Sequence, residues 1–144
     1  MGREAGIDDI AAELRIVVGQ LVRRFRADGP LPGPQTSALA WLVREGPKTT
    51  SQLAALERVR PQSMAHTVAE LESAGYVERR PDPGDGRQQI VELTREGTEL
   101  MDEYRRRGEG WVAETLAEEF DQRERDELAR GVELLSRLAR NAAD

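Results

Sequence analysis

The stretch Arg60-Pro61-Gln62-Ser63-Met64-Ala65-His66-Thr67-Val68, continuing through Leu71 to Gly75 and then Tyr76-Val77-Glu78-Arg79-Arg80, decides how this chain is built. Proline suits the first position of a helix, where its missing N–H is not needed and its fixed φ is already helical. Met64, Val68 and Leu71 recur at i, i+4 and i+7, the spacing of one buried stripe. Gln62, Ser63, His66 and Thr67 are assigned to the opposite, polar face, which is free to read something. Gly75 can take the left-handed conformation that stops a helix, and Tyr76 and Val77 are strand formers. Gln88-Gln89-Ile90-Val91-Glu92-Leu93 supplies the returning strand of a hairpin. Its loop, Pro81 to Arg87, is too long and too rich in Pro, Gly and Asp for a two-residue turn, so it is expected to project as a finger. At the tip, the Asp85 carboxylate is expected to hold the Arg87 guanidinium in a fixed direction, an arrangement suited to a narrow anionic groove.

Just upstream, Thr49 and Gln52 form a capping-box pattern that opens a short helix over about Thr50 to Leu56. A tight Glu57-Arg58-Val59 connection then leads to the helix at Pro61. Helix, short turn and second helix with a polar outer face make a helix-turn-helix, and the hairpin after it supplies a wing. The sequence here resembles the MarR family (multiple antibiotic resistance regulators), whose wings carry Asp-Pro-x-Asp-x-Arg, an apolar strand, Leu-Thr and a glycine. This chain has Asp82-Pro83-Gly84-Asp85-Gly86-Arg87, then Ile90-Val91-Glu92-Leu93-Thr94 and Gly97.

That resemblance implies a mainly α fold with a small antiparallel β-hairpin (α+β), with dimerisation helices at both ends. Residues 1–30 and 96–144 would build the homodimer and residues 31–95 the winged DNA-binding part. It also implies a repressor on a palindromic operator in double-stranded DNA, released by a small-molecule effector of phenolic or anionic aromatic type, with no bound cofactor. The expected DNA contacts are Thr50, Ser51, Arg60, Pro61, Gln62, Ser63, His66, Thr67, Asp85 and Arg87. The family often carries a basic residue where His66 stands, and no motif marks the effector pocket. A winged helix that binds protein instead of DNA is the alternative.

A net charge of −6 over 144 residues argues against a polyanion as partner until its distribution is resolved. Basic and acidic residues balance up to Arg95, and the acidic excess lies entirely after it. Arg58, Arg60 and Arg87 gather at the start of the second helix and at the wing tip, so local charge favours DNA. There is no cysteine, which excludes disulfides, thiolate metal sites and a thiol redox switch. No apolar run approaches a membrane span and Met1 to Glu13 lacks a signal core, pointing to a cytoplasmic protein.

Ile7, Ile10, Leu14, Val17, Val18, Leu21 and Phe25 follow helical spacing over Ile7 to about Arg26, with Arg23-Arg24-Phe25-Arg26 read as a solvated helix end. A second helix, Pro34 to Arg44, is expected to place Leu39, Leu42 and Val43 inward, with Trp41 in the core. A long helix from Thr94 to about Phe120 should bend near Gly108 and Gly110. The last helix, Asp121 to Arg140, carries Leu128, Val132, Leu135 and Leu138 on one stripe. Such stripes exceed what one small core covers, which suggests a partner chain. Catalysis is poorly supported. His66 is the sole histidine, and neither a Walker A nor a dinucleotide-binding glycine pattern is present. The carboxylates between Glu118 and Glu127 read as a solvated face rather than a metal site.

Overall fold

The computed structural model describes residues 4–141. In chain order the elements are α1 (Ile7–Ala27), α2 (Gly33–Glu45), β1 (Lys48–Thr49), α3 (Thr50–Glu57), α4 (Pro61–Ser73), β2 (Val77–Pro81), β3 (Gln89–Leu93), α5 (Arg95–Glu119) and α6 (Gln122–Asn141). The protein is therefore mainly helical, and the wing is one strand richer than a hairpin. β1 joins the free edge of β3 to give the antiparallel order β1-β3-β2, with Lys48 opposite Val91 and Thr49 opposite Ile90. Gly46, at φ 79°, lets the chain leave α2 in a direction that L-residues rarely take.

The core is built where α2, α3 and α4 meet the sheet. Ala38, Leu39 and Leu42 come from α2, Leu53 and Ala54 from α3, and Met64, Val68 and Leu71 from α4; Val77, Val91 and Met101 complete it. Burying each of these leucine, valine and methionine side chains stabilises by about 1.5–3 kcal/mol. The α4 stripe is the one its spacing announces. On α2 the stripe centres on Ala38, Leu39 and Leu42, so Val43, expected inside, is 56% exposed instead. Trp41 packs against this core while its indole N–H donates to Glu57 and the Arg44 guanidinium lies 5.1 Å above its ring.

α4 ends in a Schellman motif. The Tyr76 N–H reaches Leu71 O, the Gly75 N–H reaches Glu72 O, and Gly75 takes φ 83°. The Leu-Thr and glycine after the wing have a joint purpose. Thr94 donates its N–H to Tyr76 O and its hydroxyl to Gly75 O, then accepts from the Gly97 N–H. α5 thereby starts so close to the end of α4 that a Cβ on Gly97 would lie 2.1 Å from Tyr76 O.

One compact unit ends at Arg106 and a second begins at Arg107. α5 remains helical through Gly108 and Gly110. In the second unit, Asp121 and Glu124 form a reciprocal capping box at the start of α6, and Arg125 donates to Leu116 O and Ala117 O. Arg123 pairs with Glu127 and Gln122 bonds Asp126, so much of this acidic run serves helix capping and i,i+4 contacts. Neither α1 nor α6 has a buried residue among those described, although both carry apolar stripes. No helix among the described residues is long and apolar enough to cross a membrane.

Candidate nucleic-acid interface

The helix-turn-helix is set by local bonds at each junction. The Thr49 hydroxyl accepts from the Gln52 N–H at 3.1 Å while the Gln52 side chain accepts from the Thr49 N–H at 2.9 Å, the capping box expected from the sequence. Thr50 and Ser51 are thereby fixed at the entrance of α3. α3 ends at Arg58, the one non-glycine residue with positive φ among those described (φ 57°, ψ 44°). That left-handed residue reverses the chain tightly enough for Arg60 to precede α4, whose first position is Pro61.

Pro61, Gln62, Ser63, Ala65 and His66 are exposed on α4. Thr67, assigned to this face from the sequence, is not on it: the residue is buried and its hydroxyl donates to Ser63 O at 3.1 Å. It lies three residues after Met64 and four before Leu71, which places it at the edge of the buried stripe. Ala65, passed over in the sequence, stands in the gap between Gln62 and His66. Its methyl offers the apolar contact that a thymine methyl accepts. His66 Nε2 lies 3.0 Å from Glu70 Oε1, and the other Glu70 oxygen accepts from Gln35 on α2.

In the wing, the Arg79 guanidinium grips Glu72 of α4 through Nε (3.0 Å) and a terminal nitrogen (2.9 Å). These hydrogen bonds, with the guanidinium charge, hold the Glu72 carboxyl below the usual glutamate range. Glu78 and Glu92 face one another across β2 and β3, and Arg80 relieves that clash diagonally through its 3.3 Å pair with Glu92. The tip differs from expectation. Asp85 Oδ1 accepts from the Arg87 backbone N–H at 3.1 Å, and Asp82 does the same for Gly84. A short Asp side chain reaches the N–H two residues on more easily than a distant guanidinium, so both aspartates shape the loop as Asx-turns. Asp85 therefore sets the backbone that carries Arg87 and does not grip its side chain. Arg87 borders a cleft of about 280 Å³ together with Thr50 and Ser51, bringing wing and α3 to one place.

A larger cavity, about 600 Å³, opens beside the polar face of α4 and is lined by Arg26, Pro34, Ser37 and Glu57 on one side and Gln62, Ser63 and His66 on the other. Arg26, read from the sequence as part of a solvated helix end, thus borders this cavity. Only the packing of α1 near α4 could reveal it.

Comparison with known proteins agrees with this architecture. The MarR family model matches residues 30–88. An HTH-type transcriptional regulator of Mycobacterium bovis is 39% identical over 132 residues, covering 90% of this chain and 92% of the relative. One from Mycobacterium leprae is 37% identical with the same coverage. A structure described as a transcriptional regulator protein from Pseudomonas aeruginosa superposes with a TM-score of 0.80 at 32% identity, covering 91% of this chain and 93% of that one. A MarR family protein from Bacillus stearothermophilus shares the fold over the whole of both chains, with a TM-score of 0.82 at 22% identity. With its capped helix-turn-helix, its three-stranded wing and these relatives, the chain belongs to the MarR family of winged helix-turn-helix transcription regulators.

Proposed function

We propose that the protein is a repressor that binds a near-palindromic operator as a homodimer and is released by a small molecule. The observation that carries this reading is the exposed run Pro61, Gln62, Ser63, Ala65 and His66 on α4, with Arg87 on the wing and Arg60 at the helix start. Two such helices would enter successive major grooves, and two wings would reach the flanking minor grooves. Gln62 pairs bidentately with adenine, Ser63 bonds base or phosphate, and Arg60, Thr50 and Ser51 hold the backbone.

The dimer is supported by apolar surface without an owner. Ile7, Ile10, Val17 and Leu21 on α1, and Leu128, Val132, Leu135 and Leu138 on α6, are all more than 40% exposed. Stripes of that length are covered by a second copy in a two-fold assembly. Residues 1–30 and 96–144 accordingly form the dimerisation parts, and residues 31–95 bind the DNA. The protein acts in the cytoplasm, where its operator lies.

Release by an effector is supported by the 600 Å³ cavity, a volume suited to a small organic molecule. The Arg26 guanidinium at its wall favours a phenolic or anionic aromatic compound. A molecule held there would touch Gln62 and His66 and compete with bases for them. Fluorescence anisotropy with the duplex upstream of the protein's own gene tests the reading. Tight, salt-sensitive, sequence-selective binding is expected; binding no stronger than to unrelated DNA would favour a winged helix that recognises protein.

A further inference from the structure

Glu70 follows His66 by one helical turn, on the flank of the face assigned to DNA. A carboxylate there meets the negative potential of the phosphates, so its presence needs a compensating purpose. Both its oxygens are engaged. Oε1 lies 3.0 Å from His66 Nε2, and Oε2 accepts from Gln35 Nε2 at 2.7 Å. Gln35 stands on α2 just ahead of Ala38, Leu39 and Leu42, which lie in the core, so the carboxylate is tied to the body of the domain as well as to its own helix. A ring nitrogen this close to a carboxylate keeps its proton directed at it. The other nitrogen, Nδ1, is then the atom left for a partner, on a side chain 76% exposed.

We propose that Glu70, braced by Gln35, is a specificity-positioning residue that fixes the orientation and tautomer of His66 so that Nδ1 meets the edge of one base pair in each half-site. The inference rests on the DNA-binding reading above and adds to it the chemistry of one position. In the neutral ring Nδ1 is an acceptor and matches the exocyclic amino group of adenine or cytosine. In the charged ring it is a donor and matches guanine O6 or N7. The charged groups bordering the 600 Å³ cavity beside His66 are Arg26 from α1 and Glu57 from α3.

The test uses the full chain and a pool of duplexes with a random central segment. The enriched duplex is then substituted base pair by base pair, and binding to each duplex is measured. Wild type should show, beside the Gln62 position, one further position per half-site with a strong base preference. His66→Ala should abolish discrimination there. Glu70→Gln, whose amide accepts either tautomer, should lower it by about fivefold or more, and Gln35→Ala should do so to a smaller extent, while the other positions keep their profiles. Matching thermal melts would establish that each variant is folded. A wild-type profile retained by Glu70→Gln overturns the inference and leaves DNA binding intact. Failure of wild type to enrich any sequence would overturn the underlying reading as well.

Discussion

Arg58 holds a left-handed backbone, a conformation that costs a non-glycine residue about 1–2 kcal/mol. Its side chain is exposed in the turn that launches α4, two residues before Arg60. Arg58→Gly should raise the midpoint of thermal unfolding yet weaken operator binding, and calorimetry beside a binding titration checks both signs. Gln62→Ala should lose about 1–3 kcal/mol of discrimination at one base pair per half-site. Uniform weakening on all sequences would instead make Gln62 a backbone contact. Arg87→Ala should reduce the magnitude of the salt slope by about two, one phosphate for each wing of a dimer. Asp85→Ala should give a milder loss, because the Asx-turn that carries Arg87 loosens while the cation stays. What was legible at this scale was local. Gly75, Pro61 and the Thr49–Gln52 box depend on bonds within a few residues. The burial of Thr67 was also within reach, since its offsets from Met64 and Leu71 place it beside the stripe. The engagement of Glu70 by Gln35, thirty-five positions away, was not.

Elements meet through a few close approaches, and the tightest joins α5 to the end of α4. Gly97→Ala would drive a methyl group toward Tyr76 O and displace the Thr94 bonds, so it should destabilise by about 1–3 kcal/mol or more. Urea unfolding measures this, with Gly110→Ala, where a Cβ meets nothing, as the control that should lose no stability. The wing is tied to α4 by Glu72 and Arg79. Since the Glu72 carboxyl titrates lower in the folded protein, its contribution is present above the ordinary glutamate pKa of 4.5 and is lost as pH falls through the depressed value. Glu72→Gln should therefore be slightly less stable than wild type at neutral pH, and the difference should vanish on acidification. Both partners are partly exposed, so added salt should also shrink it. The helices could be read from periodicity, but β1 could not. Two residues carry no alternation, and Lys48 and Thr49 become a strand only because β3 offers an unpaired edge.

At the scale of the molecule, α1 and α6 present long apolar stripes and bury nothing among the described residues. Ending the chain after Phe120 removes Leu128, Val132, Leu135 and Leu138, and should leave a product that is monomeric or insoluble and binds a palindrome poorly. Sedimentation of that product checks it. The family was legible because the wing motif is dense in residues with separate physical duties: Asp82 and Asp85 bond the loop, Arg87 projects from it, and Gly97 admits α5. The 600 Å³ cavity was not, because its walls come from four helices and no single segment marks it. The proposed dimer places two α4 helices on one face of DNA. Its most direct test is sedimentation of the full chain on the upstream duplex, combined with a hydroxyl-radical footprint. Two chains per duplex are expected, with two protected patches about one helical turn apart. One chain per duplex, or a single protected patch, would contradict it.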